Sequence, residues 1–295
     1  WQQSIDRKGV RIMLDASLVL EGGGMKGMYT AGVLDYFMKK QLIFSHCYGV
    51  SAGACHMSNY LSGQMGRSYR VGVNYVNDKR YCGMYSLITT GDIFGVEFSY
   101  HKIPTELDPY DYDAFERYPG KAFAVATDIV TGRPEYMELK DMHRDITAVR
   151  ASSSLPLVSR NVEINGRLYL DGGISDSIPI RKAVSDGASK HVVILTKEVG
   201  YRRQPTSNMR LMRLKYRNYP KFLEDMEQRH IAYNETLDYL DELEAQGSVF
   251  VIRPQHKSSV GRIEKDAQKL RELYQEGYSD ARKCYAELKE FLRGR

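Results

Sequence analysis

The chain has 295 residues and a mass of 33.8 kDa, enough to bury one sizeable core, and its 42% hydrophobic and 27% charged residues are ordinary for a globular protein. Its longest apolar runs fall far short of the roughly 18 residues that a bilayer-crossing helix needs. The net charge of +5 is unevenly placed: residues 199–223 hold seven Lys or Arg and no acid, so the remainder is net negative. A general affinity for polyanions, nucleic acid included, is therefore not expected, but a local basic patch is.

Cys47, Cys55, Cys82 and Cys284 show no C-x-x-C spacing, and a chain of this size needs no disulfide framework, so they read as reduced, buried thiols of a cytoplasmic protein. The chain opens at Trp1 without the basic and apolar stretches of a secretory signal.

Residues 16–20 form a short apolar run that ends in Glu21 and three glycines, with helix-compatible sequence following over 25–40. Residues 42–48 repeat the plan, with a small-residue turn at 49–53 and a helix continuing to 61. Two successive strand-turn-helix units predict an α/β fold with a mostly parallel central sheet and helices on its faces. Further apolar runs at 122–126, 168–170, 191–196 and 249–252 supply the remaining strands. Residues 67–118, rich in Tyr and Gly, lack clean periodicity and suit either irregular surface structure or a substrate-facing cap. The sequence is helical and charge-laced over 220–245 and 262–292. Because 249–252 returns to the sheet, the C-terminal third is read as an extension of one domain: a core over 17–184, then 185–295 completing the sheet and adding helices.

The glycine turn Gly22-Gly23-Gly24-Met25-Lys26-Gly27 fits G-x-G-x-x-G between strand and helix. A dinucleotide site would also need an acid at the end of the next strand, and residues 41–49 offer none. A P-loop is excluded by the spacing. What remains is either a tight turn without a ligand or backbone N–H groups aimed at an anion, as an oxyanion hole requires.

Gly49-Val50-Ser51-Ala52-Gly53 fits G-x-S-x-G in the same context, the setting of a nucleophile elbow. A serine nucleophile needs a base. Of the seven histidines, His256, after the last strand, comes nearest to the usual arrangement. The competing candidate is Asp171, which ends a short strand and is followed by Gly172 and Gly173; it points toward the crevice at the strand ends or merely starts a turn.

Taken together and in this order, the three motifs resemble the patatin-like phospholipase family. Residues 126–128, Thr131-Gly132, residues 151–156 and Pro179 look similar too, so the likeness covers about 17–180. It implies a three-layer α/β/α fold and a Ser-Asp dyad that hydrolyses acyl esters of phospholipids or related lipids. By position, Ser51 is the nucleophile, Asp171 the base, and the turn at Gly22, Gly23, Gly24 and Met25 the oxyanion hole. Lys26, Gly27, Gly49, Gly53, Gly172 and Gly173 support the motifs. Glu21 and Lys26 stand where the family commonly has Asp and Arg. No cofactor is implied, and no metal, since no His, Cys or carboxylate cluster has ligand spacing. The alternatives are a small-ester or protein-acyl hydrolase and a non-catalytic lipid-binding protein. Arg210, Arg213 and Arg217 share one helical face, which is either a contact with the anionic inner face of a membrane or a solvated face packed down by Met209, Met212 and Tyr216.

Overall fold

In the computed structural model, which describes residues 13–294, the two strand-turn-helix units come first. β1 (Leu14–Leu20) leads through a 3-10 turn (Gly24–Gly27) into α1 (Met28–Lys39), and β2 (Phe44–Val50) leads through Ser51 into α2 (Ala52–Leu61). Residues 67–118 are ordered as α3 (Arg67–Asn74), α4 (Met84–Thr90), a π-helical segment (Glu97–Leu107) and α5 (Tyr112–Glu116). The middle of the chain supplies β3 (Lys121–Asp128), β4 (Pro134–Glu138), α6 (Met142–Ser152), β5 (Val162–Ile164), β6 (Arg167–Asp171) and α7 (Ile180–Ser185). Next come β7 (Lys190–Ile194), α8 (Met209–Lys215), α9 (Pro220–Ala245) and β8 (Val249–Ile252). The last two helices are α10 (Ala267–Lys283) and α11 (Tyr285–Leu292).

The strands form one sheet in the order β5-β6-β3-β2-β1-β7-β8, with β4 also on β3. β3, β2, β1, β7 and β8 run parallel, whereas β4 and β6 are antiparallel to β3. β1 and β7 lie in mid-sheet, so alternate residues face opposite layers. Ala16, Leu18, Leu20, Val192 and Ile194 pack with α1, α2 and α10 on one face. Val19, Val193 and Leu195 pack with α7 and α9 on the other. The result is three layers, α/β/α.

On the first face, α1 and α10 approach until their backbones touch. A Cβ placed on Gly32 would lie 2.0 Å from the Tyr274 carbonyl oxygen, and one on Gly277 would lie 2.0 Å from that of Tyr29. Only glycine permits that separation.

Neither β4 nor β5 shows in the sequence. Pro134–Glu138 is half-buried along its whole length, so it has neither an apolar run nor clean alternation, and β5 is three residues long. The helical run read over 262–292 begins at Ala267 and breaks at Cys284. The four cysteines are free, but Cys55 and Cys284 are only half-buried. Among the described residues no helix is long and apolar enough to cross a membrane.

Candidate active site

The site is assembled where β1, β2 and β6 end. Ser51 adopts φ 55° and ψ −124° between β2 and α2, a conformation that costs a non-glycine residue about 1–3 kcal/mol. The strain is sustained because the elbow is packed from all sides. A Cβ on Gly53 would sit 2.5 Å from the Leu20 carbonyl oxygen, and one on Gly49 would sit 2.5 Å from the Ala54 Cα. The Ser51 N–H is fixed by donating to Ser152 Oγ at 2.9 Å.

Asp171 ends β6 and is only 3% exposed. Its Oδ1 accepts from the Gly173 N–H at 2.8 Å, while its own N–H donates to the Ser154 carbonyl at 2.8 Å. The Gly172 N–H donates to the Ser152 carbonyl at 3.2 Å. The Ser152–Ser154 stretch at the end of α6 thus clamps both motifs, a role that the sequence reading had not given it. Desolvation raises the pKa of the Asp171 carboxyl above the ordinary carboxylate value, against the opposing influence of the Ser51 hydroxyl, Arg229, the Gly173 N–H and Arg262. The Ser51 hydroxyl acts on this carboxylate without the alignment of a full hydrogen bond, and Oδ2 is buried with no hydrogen-bond partner among the described residues.

The glycine turn lies against the elbow: a Cβ on Gly22 would be 2.7 Å from the Ser51 Cβ. Met25, one of the four residues expected to form the oxyanion hole, donates its N–H to the Arg262 carbonyl at 3.0 Å and is engaged. The N–H groups of Gly22, Gly23 and Gly24 have no protein acceptor among the described residues. Glu21 is buried and accepts from the Thr196 N–H at 2.7 Å, the Thr196 hydroxyl at 3.1 Å and the Tyr233 hydroxyl at 2.6 Å. It ties the end of β1 to the segment after β7 and to α9. Lys26 is half-buried in the 3-10 turn, and Gly27 meets Ala52 and His56 of α2.

Two cavities meet at this point. An apolar one of about 160 Å³ opens at Ser51 and is walled by Met28, Val71, Tyr81, Phe94, Tyr100 and Val149. Four of those six residues belong to the 67–118 segment, so that segment covers the site. The second, of about 460 Å³, is bounded by Asp171 with Arg203, Arg229 and Arg262. Leu155 belongs to both walls.

Of the histidines, His256 is exposed after β8 and lines neither cavity. His56 lines the apolar one, but burial lowers its pKa to about 4, so it is neutral at physiological pH.

A model of the patatin-like phospholipases matches residues 18–184, more than half of the chain. The chain belongs to the patatin-like phospholipase family. Beyond the patatin-like region, residues 219–293 match a domain of unknown function (DUF6363). The uncharacterized protein YjjU of Escherichia coli (strain K12) is 34% identical over 185 residues, which cover 61% of this chain and 51% of that protein. The chain thus spans about half the length of this curated relative. The crystal structure of VipD from Legionella pneumophila aligns with a TM-score of 0.45 and 11% identity, covering 98% of this chain and 69% of that one.

The sequence reading also missed Arg229, although it had a signal. Phe222, Met226, Tyr233, Leu237 and Leu240 form the buried stripe of α9, and Arg229 stands within it, three residues after Met226 and four before Tyr233. A cation in an apolar stripe is either paired or functional.

Proposed function

We propose that the protein is a serine lipid-acyl hydrolase of the phospholipase or lysophospholipase type, with Ser51 as nucleophile and Asp171 as base. The observation that carries this reading is the strained Ser51 elbow beside a buried carboxylate whose Oδ2 is unpartnered, at the mouth of an apolar cavity. In the first step Asp171 takes the Ser51 proton while Oγ attacks the ester carbonyl carbon. The oxyanion that forms is received by the N–H groups of Gly22, Gly23 and Gly24, each such donor being worth roughly 10²–10³ in rate. Collapse of the adduct breaks the ester C–O bond. The leaving alcohol takes the proton from Asp171, and the acyl group stays on Ser51 until water, deprotonated by the same carboxylate, releases it as the acid.

The raised pKa supports the assignment of base, since a carboxylate with an ordinary pKa of about 3.9 is a weak acceptor toward a hydroxyl. The apolar cavity favours a long acyl chain over a small ester. Residues 17–184 form the catalytic core in this reading. Residues 185–295 are an extension that completes the sheet through β7 and β8 and covers it with α9 and α10. Peripheral contact with an anionic membrane belongs to the same proposal, through Arg210, Arg213 and Arg217 beside the exposed Leu211 and Leu214 of α8.

The test is labelling with a fluorophosphonate together with hydrolysis of a panel of phospholipids, lysophospholipids, triacylglycerols and p-nitrophenyl esters. Wild type is expected to gain one adduct by intact mass, and Ser51→Ala none. Asp171→Asn should keep its fold and lose about as much kcat as Ser51→Ala, because members of one catalytic unit are not additive. Labelling that persists in Ser51→Ala, or an active Asp171→Asn, refutes the dyad.

A further inference from the structure

The cavity on the Asp171 side has no role in that chemistry beyond Asp171 itself, yet three guanidinium groups line it. Arg203 comes from the loop before α8, Arg229 from α9 and Arg262 from the loop before α10. Asp171 is the only carboxylate among the lining residues. None of the three arginines makes an ion pair among the described residues, whereas their neighbours Arg202, Arg213 and Arg253 are paired with Asp238, Glu227 and Glu244.

The guanidinium groups of Arg203 and Arg229 are held in place by something other than an acid. Arg203 stacks on the Tyr233 ring at 4.0 Å, its backbone N–H donates to Asn234 Oδ1 at 2.8 Å, and its buried Nε has no partner among the described residues. Arg229 Nε donates to the Gly173 carbonyl. Arg262 is exposed, and only its backbone is anchored, its carbonyl accepting from the Met25 N–H. The half-buried Arg203 and Arg229, with the exposed Arg262, set three cations around one hollow against a single carboxylate, Asp171, and such an excess of like charge is unfavourable unless a further anion answers it. Desolvation, Arg203 and Arg262 together lower the Arg229 pKa to about 9, although Asp171 acts to raise it.

We infer that this cavity binds the phosphate group of the substrate lipid, with Arg203, Arg229 and Arg262 as its ligands. The inference rests on the hydrolase reading above for the identity of the molecule, and on the cavity alone for the chemistry of the anion. Planar guanidinium groups suit a tetrahedral phosphate, which each can grip with two N–H donors. The placement fits a glycerophospholipid: the acyl chain enters the apolar cavity, the ester lies between Ser51 and Asp171, and the phosphate, a few bonds from the ester, falls on the arginine side. Arg203 and Arg262 then determine specificity, selecting phosphate-bearing lipids over neutral glycerides.

The experiment has a kinetic arm and a binding arm. In the first, kcat/KM is measured for a lysophosphatidylglycerol and for the monoacylglycerol with the same acyl chain, with wild type, the Arg203→Gln/Arg262→Gln double variant and the Arg203→Lys/Arg262→Lys double variant. The ratio of the two constants should fall at least tenfold in the glutamine variant, mainly through KM for the phosphate-bearing substrate, and fall less in the lysine variant. An unchanged ratio overturns the inference. In the second arm, inorganic phosphate is titrated calorimetrically into Ser51→Ala with and without the two glutamine substitutions, and binding should be lost with them. Phosphate binding that depends on the arginines while the substrate ratio stays unchanged assigns the cavity to free phosphate and also overturns the headgroup assignment. If wild type hydrolyses neither lipid, the hydrolase reading fails on its own, and the binding arm still decides whether the cavity holds phosphate.

Discussion

At the scale of single residues, the catalytic proposal turns on the Asp171 proton. A base works only when ionised, so kcat/KM on a neutral, soluble ester should rise with pH along one limb and level off above it. Because desolvation raises the Asp171 pKa, the midpoint should lie above the ordinary aspartate value of about 3.9. Arg229 and Arg262 oppose that shift by favouring the carboxylate. Replacing Arg229 by Gln removes one of these cations and should move the midpoint upward, a change read directly from the pH profile. A midpoint that stays in place would assign the limb to another group. Ser51 and Asp171 could be named from sequence because their motifs prescribe the local backbone: an elbow too tight for side chains, and an acid at a strand end. Arg203 and Arg262 could not, because they sit in loops whose positions depend on Asn234, Tyr233 and the glycine turn. The same is true of the Met25 N–H, which an acceptor 237 positions away engages.

Among the secondary-structure elements, the closest approach is between α1 and α10. The built Cβ contacts of 2.0 Å at Gly32 and Gly277 meet backbone carbonyl oxygens, which cannot rotate aside as a side chain can. Gly277→Ala must therefore push the helices apart, and it should destabilise the fold by about 2–3 kcal/mol, at the upper end for an overpacked core. Urea unfolding measures this as a lower midpoint at constant slope, and a change below about 0.5 kcal/mol would mean the helices are not that close. The apolar runs of β1 and β7, and the 26-residue α9, were legible because burial on both faces of a strand, or on one stripe of a helix, writes itself into the pattern. β4 was not, since its five residues are uniformly half-buried. The cap was legible only as a departure from periodicity: its helices are short, and they bury aromatic rings against a cavity instead of a flat sheet.

For the whole molecule, the proposed chemistry requires that a protein with no bilayer-crossing helix among its described residues reach a lipid. The methionine face expected to pack α8 down does so, with Met212 and Tyr216 buried. Arg213 is held by Glu227 at 2.6 Å. What α8 presents outward is Leu211 and Leu214, the latter 72% exposed, with Arg210 beside them, whereas Arg217 does not share the expected helical face because α8 ends at Lys215. Flotation with phosphatidylglycerol vesicles should exceed that with phosphatidylcholine vesicles. Arg210→Gln/Arg217→Gln should weaken the anionic binding by roughly tenfold or more, at about 1 kcal/mol per charge. Leu214→Asp should weaken both. Equal binding to the two vesicle types by the wild type would remove α8's charge from the account.

The central position of β1 beside β7, and the seat of the glycine turn on the Arg262 carbonyl, also bear on the order of events during synthesis. The serine elbow leaves the ribosome early, but the strand that flanks β1 is made about 140 residues later and the loop that fixes the turn about 210 residues later. At the usual 5–20 residues per second that delay is roughly 10–40 s. Throughout it the nascent chain carries the Ser51 elbow without the loop that seats the glycine turn beside it, so on the proposed chemistry the site stays incomplete until Arg262 has been made.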